Sequence, residues 1–85
     1  MYLHLGQDVV VRKKDILGIF DLDNTSHSHI TRKFLKSAEN DGNVIDISGE
    51  LPRSFIVVAD GKVMVYLSQI SPATLLKRFD SGSIE

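Results

Sequence analysis

Residues 55–67 read FIVVADGKVMVYL, and their folding decides the rest of the chain. Two apolar runs rich in valine flank Asp60-Gly61, a dipeptide favoured in tight hairpin turns. The spacing predicts an antiparallel hairpin, Phe55–Ala59 against Val63–Leu67. Phe55 to Ala59 is apolar at every position, so both faces of that strand require cover.

On the C-terminal side of the hairpin, Ser71-Pro72 opens a short helix, with serine as cap and proline at the first helical position, running to about Phe79. Residues 81–85 read as a polar tail. On the N-terminal side, Ser48–Arg53 is a loop and Val44–Ile47 a short strand. Before them Ile30, Phe34 and Ala38 recur at helical spacing with Leu35 beside them. That helix lies between the capping-prone Asn24–Ser28 and a left-handed stop at Gly42. Ile16–Phe20 is a further apolar strand, and Tyr2–Leu5 with Val9–Val11 makes an N-terminal hairpin around Gly6-Gln7-Asp8.

The order β-β-β-α-β-β-β-α predicts one α+β domain over residues 1–80, a small antiparallel sheet with two helices. One layer of helices covers one face of such a sheet. The other face or an edge is then left for a neighbouring subunit, which points to a ring or other closed oligomer.

Composition narrows the function. Hydrophobic residues are 42% of 85, more apolar surface than one small core hides. With no cysteine, neither disulfides nor thiolate metal sites staple the fold, and a reducing cytoplasm is the expected compartment. No signal-like segment opens the chain and no run approaches the roughly 18 apolar residues of a membrane span, so a soluble intracellular protein is expected. The formal net charge of −1 does not advertise nucleic-acid binding, so any such function rests on where the charges are placed.

Several constellations carry candidate chemistry. Ile16–Phe20 ends in Asp21-x-Asp23-x-Thr25, the way phosphate-transferring enzymes of the haloacid dehalogenase type begin, with one carboxylate as nucleophile and the next as acid/base. Such an enzyme needs a parallel sheet, a later Ser or Thr, a Lys and a downstream acidic pair. Ser48 and Lys62 offer the middle elements, but the acidic pair is missing, so no enzyme and no cofactor are expected. His27 and His29 near Asp21 and Asp23 draw a loose metal site whose spacing suits a polar loop as well. Arg12-Lys13-Lys14 is a basic turn, Arg32, Lys33 and Lys36 form a basic patch on the first helix opposite Ile30 and Phe34, and Arg53 stands before the long hairpin. In a ring, each basic turn repeats around one circumference, so weak phosphate contacts gain through avidity.

The stretches MYLHLG, KDILGIFDLDNTS, ITRKFLKSAENDG and PRSFIVVADGKVMVYLS resemble the RemA/RemB extracellular matrix regulators, the first two being most similar to the RemB branch. That resemblance implies a small cytoplasmic bacterial protein, related in fold to LytTR-type DNA-binding domains, that assembles into rings and activates biofilm matrix genes. It also implies DNA contacts from a basic residue before the third strand, for which Lys14, with Lys13 beside it, is the counterpart. A second contact in the family is an arginine pair in the loop before the long hairpin. Here that pair falls on Glu50 and Leu51, and Arg53 matches an arginine just after it. A carboxylate at such a position repels phosphate.

Two functions follow as expectations. One is a ring-forming, DNA-binding transcriptional regulator using Arg12, Lys13, Lys14 and Arg53, helped by Arg32 and Lys33. The other is a non-catalytic adaptor of the same fold that binds a protein partner through the surface carrying Glu50.

Overall fold

The computed structural model describes residues 1–22 and 29–81. The Asn24–Ser28 cap, Asp23, Thr25 and His27 lie outside them. The elements are β1 (Tyr2–Gly6), β2 (Val9–Arg12), β3 (Ile16–Asp21), α1 (His29–Asn40), β4 (Val44–Asp46), β5 (Ser54–Asp60), β6 (Lys62–Ser68) and α2 (Pro72–Ser81), with a 3₁₀ turn at Lys13–Asp15 between β2 and β3. The class and element order are those expected. No helix among the described residues is long and apolar enough to cross a membrane.

The sheet departs from the expectation of a single antiparallel one. β1 and β2 pair only with each other, and the remaining strands form a mixed sheet in the order β3-β5-β6-β4, with β4 parallel to β6. The cause is the loop after β4. Ile47 N–H donates to Leu67 O (2.9 Å) and Arg53 N–H to Ser68 O (2.8 Å), so residues 47–53 cross the C-terminal end of β6. β5 then starts at that end, opposite Ser68, and runs back. A chain carried across a strand in this way must have arrived parallel to it.

The β5–β6 hairpin forms as expected, with Gly61 taking the left-handed position (φ 81°). Alternation along β5 divides the interior in two. Ile56 and Val58 face a core with Leu3, Leu5, Ile47 and Leu75, onto which Val9, Val11, Ile16, Ile19 and Phe79 pack. Phe55 and Val57 face the opposite way, with Ala38 and Val65, against Leu22, Leu35, Val44 and Leu67. Thus α2 and the β1–β2 hairpin cover one face and α1 covers part of the other. The helices are on both faces rather than in one layer.

Local signals set the helices. Ser71 Oγ accepts from Thr74 N–H (3.3 Å) and Pro72 begins α2. Gly42 at φ 74° ends α1, its N–H reaching Glu39 O (3.0 Å) while Asn43 N–H reaches Ala38 O (2.9 Å). On α1 only Ala38 is buried, with Leu35 and Thr31 half-buried beside it. Ile30 and Phe34 remain 79% and 40% exposed. With Leu17, Phe20, Thr31, Phe55 and Val57 they line a groove of about 330 Å³ along β3, the part of the sheet that α1 leaves open.

Candidate nucleic-acid interface

The sequence singles out its basic residues as one population, but the fold separates them. Arg12 closes β2 directly across from Tyr2. Its Nε donates to Asp15 Oδ2 at 2.8 Å and its Nη2 to Asp60 Oδ1 at 3.3 Å. Hydrogen bonding to Asp15, with the charge of that carboxylate, raises the guanidinium pKa above its ordinary value. Arg12 is therefore already neutralised locally, though the Asp60 contact is exposed and weak.

Lys13 is also engaged. Its Nζ donates to Phe79 O (2.9 Å) and Arg78 O (3.4 Å) and lies 5.5 Å from the centre of the Phe79 ring. Lys14, next along the 3₁₀ turn, is exposed and has no hydrogen-bond or ion-pair partner among the described residues. Met1, Tyr2, Arg12, Lys13 and Lys14 together line an open cleft of about 520 Å³.

Arg53 stands at the other end of the sheet. Its backbone is fixed, with N–H bonded to Ser68 O and its carbonyl accepting from Leu22 N–H (3.1 Å), while its side chain is exposed and unpaired among the described residues. Ser54, next to it, pairs with Asp21, whereas Ile16, just after the basic turn, pairs with Val58. Four residues of β5 separate those positions, a distance of roughly 13 Å. Lys14 and Arg53 are thus not brought together within one protomer.

The α1 cations fall elsewhere again. Lys36 and Glu39 line a groove with Val44 and Pro52, and helical periodicity puts Arg32 on that same shoulder, away from Ile30 and Phe34. Lys33 lies on the outer crest and is exposed, as is Arg32. Glu50 and Leu51 are both exposed in the 47–53 loop, Leu51 at 82%, following Gly49 in the left-handed region (φ 84°).

The phosphotransferase elements are scattered. Asp21 lies opposite Ser54, while Lys62 begins β6 beside Asp60, at the far end of β5 and roughly 20 Å away along the strand. Among the described residues no three His, Asp or Glu side chains are grouped to hold a metal ion. Asp23 and His27 lie outside the described residues.

Two features of the interface escape a reading of the sequence. Tyr2 is exposed beside the cations, a position recoverable from the hairpin register around the Gln7-Asp8 turn. The engagement of Lys13 by α2 had no local signal.

Comparison with known proteins agrees with the whole-chain resemblance. A family model described as RemA-like, extracellular matrix regulatory protein A-like, matches residues 2–79. The chain is 38% identical over 78 residues to extracellular matrix regulatory protein B of Bacillus subtilis (strain 168), covering 92% of this chain and 89% of that relative.

Proposed function

The chain belongs to the RemA-like family of extracellular matrix regulatory proteins, and from that premise we propose that it is a DNA-binding transcriptional regulator acting as a ring-shaped homo-oligomer, related in fold to LytTR-type domains and working in the cytoplasm on matrix genes. The observation that carries this reading is the exposed Lys14, unpaired among the described residues, on a cleft it shares with Tyr2, Arg12 and Lys13. An unpaired cation beside an exposed phenol suits a phosphate backbone, because the ammonium releases counterions and the hydroxyl donates to a phosphate oxygen.

Arg53 supplies a second phosphate contact, with Arg32 and Lys33 adding long-range attraction. Since Lys14 and Arg53 sit at opposite ends of β5, repetition around an oligomer is what makes them one surface. The groove of Leu17, Phe20, Ile30 and Phe34 supplies apolar area for that assembly.

Glu50 provides a test. Under this reading its carboxylate opposes phosphate from the same loop as Arg53, so Glu50→Arg binds duplex DNA more tightly than wild type in fluorescence anisotropy. Unchanged affinity would place the loop away from DNA. Absence of DNA binding by both proteins would favour the second reading, a protein-binding adaptor, for which the exposed Leu51 beside Glu50 is a suitable anchor.

A further inference from the structure

Of the three cations in the basic turn, Lys13 is held inward by a specific set of interactions. The carbonyls of Phe79 (2.9 Å) and Arg78 (3.4 Å) that accept from its Nζ belong to the last turn of α2, where C=O groups lack intrahelical N–H donors and the helix dipole is negative. Arg78 O also accepts from Ser81 Oγ at 2.9 Å, so Phe79 O is the principal Lys13 partner. The same end of α2 is fastened to β1 by Arg78 Nη1, which donates to His4 O at 3.4 Å. The backbone N–H of Lys13 is tied to Met1 O at 2.9 Å. A phosphate reaching Lys13 would compete with two carbonyls and an aromatic face.

We infer that Lys13 is a positioning residue: its ammonium clamps the C-terminal turn of α2 onto the 3₁₀ turn between β2 and β3, and so holds Lys14 outward toward an anionic partner. The identity of that partner as DNA rests on the function proposed above; the clamp itself does not. Leu75, fully buried, anchors the middle of α2, and Lys13 secures its end, so loss of the ammonium frees both the helix terminus and the turn that presents Lys14.

The test compares Lys13→Met, Lys13→Arg and Lys14→Ala in the full chain, by amide hydrogen exchange over residues 77–81 and by anisotropy of duplex DNA across a salt series. Lys13→Met keeps an apolar stem over Phe79 but lacks the charge. Its α2 terminal amides exchange faster by about two- to fivefold, the range a charge–dipole interaction of this kind supports. DNA binding weakens by a similar factor, while the dependence on salt keeps the wild-type slope. Lys13→Arg restores slow exchange, since a guanidinium also donates to two carbonyls and stacks on a ring. Lys14→Ala leaves exchange unchanged and flattens the salt slope by about 0.9 for each phosphate that Lys14 neutralises in wild type.

Wild-type exchange in Lys13→Met, or a salt slope flattened as in Lys14→Ala, would overturn the positioning role while leaving DNA binding intact. Wild-type protein that binds no DNA would instead remove the proposed function and, with it, the role of Lys13 toward that partner.

Discussion

Phe20 stacks on Phe55 across the β3–β5 ladder, ring centroids 4.9 Å apart and planes inclined by 20°. Phe55 is buried, but Phe20 is 38% exposed, and its ring folds back over Gly18, where an added Cβ would come within 2.5 Å of it. The pair is the floor of the groove whose walls are Leu17, Ile30 and Phe34. An edge strand with no charge or proline between Ile16 and Phe20 is poorly guarded against pairing with another chain.

Charge placed in that groove should dissolve the proposed assembly without unfolding the protomer. Ile30→Asp and Phe34→Asp replace side chains that are 79% and 40% exposed, so little core packing is removed. Sedimentation velocity is expected to show wild type as an oligomer and the variants as monomers, with unchanged far-ultraviolet circular dichroism. A wild-type monomer at micromolar concentration would contradict the assembly.

Ser68 joins the two sheets. Its fully buried hydroxyl donates to Leu5 O (2.6 Å) and accepts from Ile70 N–H (3.0 Å). Ser68→Ala strands both groups, and the expected destabilisation is about 2–3 kcal/mol in denaturant unfolding.

Asp46 Oδ1 accepts from the Ser48 hydroxyl (2.6 Å) and the Ser48 N–H (2.9 Å). These bonds favour the ionised carboxylate and lower its pKa from 3.8. A depressed folded-state pKa contributes stability above the unfolded value, and that contribution is lost as pH falls through the folded one. Wild type should therefore lose stability below about pH 4 more steeply than Asp46→Asn, whose amide oxygen still accepts both bonds but does not titrate. Thermal melts between about pH 5 and 2.5 read the difference.

Gln7 and Asp8 turn the first hairpin with φ of 45° and 41°, left-handed positions that suit Asn-Gly far better. Asp8→Gly is expected to stabilise the domain by about 0.5–1 kcal/mol, measured as a higher denaturant midpoint. A lower midpoint would mean that the Asp8 side chain contributes more than its backbone strain costs.

Local chemistry explains why so much of the fold was legible. Asp60-Gly61, Ser71-Pro72 and Gly42 each act over a few residues, and each marks the boundary it was expected to mark. The direction of β4 was not legible, because it depends on residues 47–53 crossing the end of β6, a tertiary event. In the candidate site, the pairing of Arg12 with Asp15 lies within one turn of chain, but Asp60 is 48 residues away and the Lys13 partner Phe79 is 66 away. Exposure of Lys14, Arg53, Arg32 and Lys33 follows from charge alone. Which cations are free does not.

The most direct measurement is fluorescence anisotropy of duplex DNA against wild type and a Lys14→Ala/Arg53→Ala variant, titrated from low to near-physiological salt. The predicted result is wild-type binding whose logarithmic salt slope exceeds the value of about 0.9 for one phosphate contact, with a shallower slope and weaker binding in the variant. Absence of wild-type binding at low salt, or binding indifferent to both salt and the paired substitution, would contradict the DNA-binding account.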